Sequence, residues 1–369
     1  MKNITYIFAG NRKHKYLSKS YESKDFYYGL FSFDTEKYNI EIIEMENHKG
    51  LLNNLLRFID KVFQKIFSLP FYLSKLTTFK NLNILKKSNY VVLVNEAVGC
   101  SSLLLLIVLK FFHNVKVSVF VMGLYSKNLK FEKLQKIHNL IIKFFVLFVD
   151  NMFFLGKGEL EKAIKVHGDI SKLIYFPFCI DTDFWKRDFQ EAKEALSNDI
   201  IFVGNDGNRD IEALIEIAKK LTEFNFIFVS EHDLLKVVKL PNVQIFNGSW
   251  SNDLLTDNEL KALYSSSKLT IIPLHYSSQP SGQSVTLQSM AVGTPVMITK
   301  TEGFWDINEF KDSEDIFFVL NNNINSWEEK IKNVLSNKKL MSYVSINAKE
   351  KVINNYNLDT FYKKLLQHI

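Results

Sequence analysis

PSGQSVTLQSMAVGTP, residues 280 to 295, lies between two apolar runs, Leu269–Leu274 and Val296–Thr299. The flanking runs read as strands. Between them a Ser/Gly turn leads into a dozen residues whose apolar positions, Val285, Leu287, Met290 and Ala291, recur at roughly helical spacing. Gly293 and Pro295 then stop the helix, glycine through the left-handed cap and proline because it cannot continue the hydrogen-bonded ladder. This is one strand–loop–helix–strand unit of a doubly wound α/β sheet. The helix is expected to begin near Gln283, with Ser281 and Gly282 just before it. Free amides and the positive end of the helix dipole at such a start favour an anion, and Gly282 permits close approach of a phosphate. Ser284 and Gln288, four residues apart, share a face and can address the same ligand.

Working outward, the chain of 369 residues is long enough for two domains with separate cores, and 47% apolar residues excludes a disordered or fibrous class. Two cysteines, Cys100 and Cys179, without metal-type spacing point to a reducing compartment and away from a disulfide framework. The start MKNITYIFAG lacks the shape of a signal peptide, so a cytosolic location is expected, or one on the cytosolic face of a membrane.

Charge is unevenly distributed. Residues 1–150 hold 22 of the 46 Lys and Arg and 11 of the 40 Asp and Glu, a net of +11, which leaves −5 for the rest. This asymmetry points to an anionic surface facing the first half. From Leu51 to Leu69 the polar residues Asn53, Arg57, Asp60, Gln64 and Ser68 fall on one helical stripe, widened by Lys61 and Lys65, and most of the remainder is apolar. Residues 69–87 add Phe71, Tyr72, Leu73 and Leu76 with Lys75, Lys80, Lys86 and Lys87. Such segments suit an anionic lipid surface without being able to span a bilayer. An ordinary packing helix with solvated lysines is the alternative, and nucleic acid is not expected, because no binding motif accompanies the charge.

Strands are expected at Ile4–Ala9, Tyr38–Ile43, Tyr90–Val94, Val115–Met122, Met152–Leu155 and Leu173–Phe176. Asp25–Phe33 reads as a helix, and Asn95–Gly99 as a loop at the carboxyl end of the third strand. Ligands bind at that edge of open α/β sheets, which makes Glu96 a candidate functional carboxylate. After a polar stretch the alternation restarts at Asp199, with a Gly-rich turn from Gly204 to Asp210. The expected domains are 1–185, basic and acceptor-binding; 186–349, nucleotide-binding; and a helical segment, 350–369, that returns to the first domain.

PFCIDTDFW at 177–185, FVGNDGNRDIEALIE at 202–216, LTDNELKALYSSSKLTIIPL at 255–274 and PSGQSVTLQSMAVGTPV at 280–296 resemble, in that order and spacing, the GT-B glycosyltransferases, most closely family 4. The resemblance is strong over residues 150–310 and thin before them. It implies an α/β fold of two Rossmann-like domains facing an interdomain cleft, with the nucleotide-sugar donor on the second and a lipid or glycan acceptor on the first. It also implies that Gly204 approaches the donor diphosphate. The family's two cations there fall on Asn205 and Arg209, so one is missing; the guanidinium of Arg209 can still meet two phosphate oxygens.

Two carboxylates that the family spaces around the phosphate loop fall on Pro280 and Gln288. Both acids are thus replaced, although the Gln288 amide can still bond a ribose hydroxyl. Backbone amides around Ser281 to Ser284 are expected to supply further contacts, and Trp250 lies where the family meets the base. Asp181 and Asp183 imitate a metal pair of another fold, but in this segment no metal is expected. No cofactor is expected beyond the donor itself. The predicted reaction moves a sugar from a nucleoside diphosphate to an acceptor hydroxyl, with retention suggested by the resemblance. Glu96 is the first candidate for a base, with Asp25 and Glu22 behind it. A nucleotide-sugar epimerase and a noncatalytic nucleotide-sugar binder are the alternatives.

Overall fold

Ile4, Thr5, Tyr6 and Ile7 are consecutive and all fully buried, which only a strand covered on both faces allows. The same holds for Ile200, Ile201 and Phe202. Each run founds a parallel sheet. The computed structural model describes residues 1–186, 198–246 and 255–369, which divide into two compact units. Unit 1 comprises Met1–Tyr21, Tyr27–Pro177 and Tyr362–Ile369; unit 2 comprises Glu22–Phe26 and Phe178–Phe361.

The first part of the chain runs β1 (Lys2–Phe8), α1 (Arg12–Leu17), β2 (Tyr38–Glu44), α2 (Leu51–Phe67), α3 (Leu73–Leu76), α4 (Phe79–Leu85), β3 (Tyr90–Leu93), α5 (Glu96–Ser101), α6 (Leu103–Phe112), β4 (Lys116–Val121), α7 (Glu132–Val146), β5 (Asn151–Phe154), α8 (Lys157–His167) and β6 (Leu173–Tyr175). Its six strands are all parallel in the order β2-β1-β3-β4-β5-β6, so the winding reverses between β1 and β3.

The second part runs β7 (Asn198–Val203), α9 (Ile211–Lys220), β8 (Phe226–Val229), β9 (Val243–Phe246), α10 (Asp257–Ser266), β10 (Ser267–Ile272), α11 (Gln283–Ala291), β11 (Val296–Thr299), β12 (Phe317–Val319), α12 (Ile324–Ser336), α13 (Lys338–Asn355) and α14 (Leu358–Leu366). The sheet is again parallel, in the order β12-β11-β10-β7-β8-β9, with Ile201 opposite Thr270 and Ile272 opposite Ile298. Its reversal lies between β7 and β10. Ile200, Phe202, Leu214, Phe226, Leu269 and Trp327 are among the residues of one core beneath it.

Three sequence expectations need correction. Residues 25–33 do not form one helix: two 3-10 turns, Asp25–Tyr27 and Leu30–Ser32, are separated by Tyr28 and Gly29, both at positive φ (51° and 74°), which a right-handed helix cannot contain. Residues 95–99 are not a loop, because the Asn95 side chain accepts from Val98 N at 2.8 Å and caps α5, making Glu96 its first residue. The final helical segment, expected over 350–369, is broken at Tyr356, where Tyr356 O accepts from Ile180 N at 2.9 Å and Asn357 caps α14 through Thr360 N. Strand β12 was not anticipated; three residues are too short for periodicity to register.

Helix α2 is mounted with its polar stripe inward. Asn53 and Asp60 are buried, whereas Leu51, Leu52, Leu55, Phe58 and Ile66 are exposed. Asp60 accepts from Leu73 N at 2.7 Å, Ser74 N at 3.1 Å and Ser74 Oγ at 2.7 Å, and Gln64 donates to Phe71 O at 2.6 Å. Beside it in unit 1, α7 leaves Ile137, Leu140, Phe144 and Leu147 exposed and donates from His138 Nδ1 to Phe67 O at 2.6 Å. Among the described residues no helix is long and apolar enough to cross a membrane.

Candidate functional site: a buried guanidinium at a helix start, and a pair of buried carboxylates

In unit 2 the chain leaves β7 at Gly204 and β10 at Pro273, the two strand ends that flank the reversal of the sheet. A crevice forms at such a point because neighbouring connections depart to opposite faces. The two loops are clasped together: Asp210 N donates to Pro273 O at 3.0 Å, His275 N to Asn208 O at 2.8 Å, and Asn208 Nδ2 to Ser281 Oγ at 2.8 Å. Asn322 ties both to the sheet, donating to Asp210 Oδ2 at 2.6 Å and to Leu274 O at 2.8 Å.

The Arg209 side chain lies inside this clasp, only 4% exposed. A Cβ on Gly204 would stand 2.1 Å from Arg209 Nε, so a side chain there would displace the guanidinium. A Cβ on Gly282 would stand 3.5 Å from Arg209 Nη1 and 3.2 Å from Ile298 Cδ1, and Gly282 itself has φ of 80°. The guanidinium thus sits against the entrance of α11. Asp206 Oδ2 lies 3.2 Å from Nη1, yet Nε and Nη1 are buried with no hydrogen-bond partner among the described residues. Burial draws the Arg209 pKa below its ordinary value, countered by Asp206 and Tyr264. No side chain caps the start of α11, and its first turn carries no acid. Unsatisfied guanidinium nitrogens beside an uncapped helix start form an anion site, since both supply N–H groups and positive potential.

The other donor-side residues are distributed around this centre. Ser281 and Gln283 are buried and Ser284 is half-buried, all at the helix entrance. Asn205, which stands where the family has its first cation, turns its Oδ1 to Ser230 Oγ at 2.9 Å and Glu231 N at 2.7 Å, bracing the loop against the end of β8. Trp250 lies outside the described residues. Gln288, one turn beyond Ser284, donates from Nε2 to Asp25 Oδ2 at 2.8 Å.

Asp25 belongs to unit 2 with its neighbours in the segment 22–26. It is 1% exposed, and besides Gln288 it accepts from Asp181 N at 2.6 Å and Trp185 Nε1 at 2.8 Å. Burial raises its pKa to about 6, against the lowering effect of those bonds. Enclosed by three donors, the carboxylate is placed to hold other groups; a base for a bound hydroxyl would need a free, accessible oxygen. Glu22 accepts from Asn258 N at 2.8 Å, and so is taken up in the first turn of α10. Asp181 and Asp183 do not act as a pair: Asp181 accepts from Lys24 N at 3.3 Å, whereas Asp183 pairs with Lys186 at 2.5 Å.

In unit 1 the end of β3, which flanks the reversal, leads to an acid instead. Glu96, at the start of α5, accepts from Met122 N at 3.1 Å, and burial raises its pKa. It lines a cavity of about 310 Å³ with Gln64, Ser68, Leu69, Pro70, Gly123, Leu124 and Lys127. Behind the same loop stands Glu159, fully buried, whose Oε1 accepts from Gly123 N at 3.0 Å and Tyr125 N at 2.9 Å. Burial and then the charge of Glu96 push its pKa to about 8. Sequence reasoning passed over Glu159. The available signal was an acid in the first helical turn after a strand, the same placement that singled out Glu96.

Residues 183–351 match the family model described as glycosyl transferases group 1. No curated protein matches the sequence. Solved structures similar to the whole chain include a sucrose-phosphate synthase from Thermosynechococcus elongatus, with a TM-score of 0.71 at 15% identity, covering 100% of this chain and 98% of that one. HepE from Anabaena in complex with UDP-glucose gives 0.71 at 10% identity, covering 100% and 99%. A glycosyltransferase from Rickettsia africae gives 0.61 at 15% identity, covering 99% and 97%. At these identities the likeness establishes a shared fold and nothing finer.

Proposed function

We propose that this chain, which has the GT-B fold and whose residues 183–351 match the group 1 glycosyl transferase model, is a glycosyltransferase that moves a sugar from a nucleoside diphosphate to an acceptor hydroxyl at a membrane surface. The observation that carries the reading is Arg209: a buried guanidinium, its Nη1 near Asp206, with two nitrogens that make no hydrogen bond among the described residues, beside the open start of α11. As the sugar leaves, negative charge gathers on the diphosphate, and groups already fixed around it stabilise that charge without reorganising. Arg209 and the α11 amides fill this role in our reading, which requires no metal; activity is expected to persist in a chelator. A uridine diphosphate sugar is the first donor to try, because HepE structures of the same fold hold UDP-glucose and UDP. Retention at the anomeric carbon is our reading from the family resemblance.

The acceptor class follows from α2. A helix that turns Asp60 inward and Leu55 and Phe58 outward, flanked by exposed Lys61, Lys65, Lys133, Lys136 and Lys143, is suited to lie in the interface of an anionic bilayer. The acceptor is then a lipid or a lipid-linked glycan. Its hydroxyl would lose its proton to Glu96, the carboxylate that lines the unit 1 cavity.

The test is a thermal-shift panel of nucleoside diphosphates, followed by transfer assays with membrane lipid extracts. A ligand at a hundred times its Kd stabilises by about 2.7 kcal/mol, which raises Tm measurably. Binding without transfer would favour a noncatalytic binder, supported by the replaced acids at Pro280 and Gln288. If no nucleoside diphosphate shifts Tm, the reading is lost.

A further inference from the structure

The chain enters unit 2 twice, first for only the five residues from Glu22 to Phe26. Those residues are firmly tied there. Glu22 accepts from Asn258 N at 2.8 Å, Ser23 N donates to Asp257 Oδ2 at 3.2 Å, and Lys24 N donates to Asp181 Oδ2 at 3.3 Å. Phe26 packs on Phe178 with ring centroids 5.3 Å apart. The segment therefore delivers one side chain, Asp25, to the flank of α11, the helix whose start forms the anion site.

We propose that Asp25 is a positioning residue of the donor site: by accepting from Gln288 Nε2 it fixes that amide with its oxygen turned to the donor, where the oxygen accepts a hydroxyl of the nucleotide sugar. The inference rests on the donor reading given above. An amide is asymmetric, and a neighbour that can only accept settles which end faces it. Asp25 already receives Trp185 Nε1 and Asp181 N, and an ionised carboxylate has no hydrogen to give, so Gln288 must present nitrogen to it. No donor among the described residues meets Gln288 Oε1. Side chains on a helix lean toward its N-terminus, so Gln288 inclines over the turn of Ser284, toward the entrance occupied by Arg209. In a glutamate at this position either oxygen could accept from a hydroxyl. With glutamine only one can, and a carboxylate from residue 25 of the chain makes the choice. Burial of the charge on Asp25 is consistent with this: three donors converge on it, and none is water-exposed.

The experiment uses the full chain and whichever nucleoside diphosphate sugar is turned over, UDP-glucose first. Asp25→Asn, Gln288→Leu and the double variant form a cycle that isolates their coupling. Each single change is expected to raise donor KM about tenfold with kcat little altered, the loss of one hydrogen bond, and the double variant to be no worse than Gln288→Leu alone. A purely structural Asp25 would instead give independent losses that multiply. Trp185→Phe removes another donor from the same carboxylate, and is expected to lower Tm while leaving donor KM unchanged; a tenfold KM rise there would overturn the proposal. If Asp25→Asn does not fold, Asp25→Ser completes the cycle, because its hydroxyl can still accept from Trp185.

Arg209→Ala separates the two levels of argument. Should Arg209→Ala weaken the donor while the cycle shows independent losses or no change in KM, the role of Asp25 is wrong and the donor site stands. Should Arg209→Ala leave donor affinity unchanged, the donor site itself is misplaced.

Discussion

The two sheets share a winding pattern and carry opposite charge at the point where it reverses. In unit 2 the strand ends β7 and β10 enclose the cation of Arg209; in unit 1 the end of β3 leads to Glu96, with Glu159 behind it. Topology makes the crevice in both, and the loop residues decide what it can hold. A guanidinium under a helix start stabilises a departing anion. A carboxylate whose pKa is raised by burial can take a proton from a hydroxyl. In the proposed reading, donor and acceptor chemistry differ only in the side chains placed at the strand ends.

The most severe way to break this comparison is Arg209→Ala. Only the change at the cation should abolish leaving-group stabilisation, and removing such a preorganised group costs about a hundredfold or more in kcat. Arg209→Lys is expected to recover part of the loss, since an ammonium restores the charge and not the fork of donors. Steady-state rates with the donor identified by thermal shift would check both. Equal activity of Arg209→Ala and the parent would show the crevice of unit 2 to be unrelated to transfer.

A smaller effect separates the acids by pH. Glu159, ordinarily near 4.5, is raised to about 8 by burial and then by Glu96, with Lys162 acting in the opposite sense. The folded protein therefore keeps this proton where the unfolded chain has released it. The stability that results is complete below about pH 4.5 and is lost as pH rises through 8, at a rate of up to about 1.4 kcal/mol per pH unit between the two pKa values. Glu159→Gln keeps an oxygen for Gly123 N and Tyr125 N but cannot ionise. Near pH 5 the two should differ little, because the protonated Oε2 of the parent and the amide nitrogen of the variant both lack a hydrogen-bond partner, and by pH 9 the variant should be the more stable. Parallel melting curves at pH 5, 7 and 9 decide it; a constant gap would remove the raised pKa from the account.

Unit 2 was the more legible half. Its strands other than β12, the start of α11 at Gln283 and the turn at Gly204 announce themselves, because glycine, proline and period are local signals. The packing of Arg209 between Gly204 and Gly282 is a contact that sequence alone did not announce. Asp25 was singled out as a candidate base, but its contacts could not be read: its partners Asp181, Trp185 and Gln288 lie at least 156 positions away, and no local pattern records a contact of that span. Its neighbourhood was misread as a helix for a related reason, since the left-handed residues Tyr28 and Gly29 look unexceptional in sequence. In unit 1, Glu96 was found through its strand end, whereas Glu159 was hidden inside an ordinary helical pattern.

The mildest test concerns the outer surface of unit 1, where burial is reversed relative to an ordinary helix. In α2 the acid is inside and satisfied by three donors, beside the buried Leu56, while Leu51, Leu52, Leu55 and Phe58 are outside, so polar bonds hold much of the inner face and an apolar row is left for something other than the core. Replacing Leu55 and Phe58, 57% and 66% exposed, by serine removes no core packing. Tm should then move by no more than a change equivalent to about 0.5 kcal/mol. Binding to vesicles containing phosphatidylglycerol should fall about tenfold or more, since each side chain withdrawn from the interface forfeits on the order of 1 kcal/mol of apolar transfer. Flotation at two salt concentrations reads both contributions: the lysines set the salt dependence and the apolar row sets what survives it. A parent protein that ignores anionic vesicles, or a serine variant that binds them equally well while losing stability, would mean that α2 serves a protein partner or the fold itself, and the membrane acceptor would have to be abandoned with it.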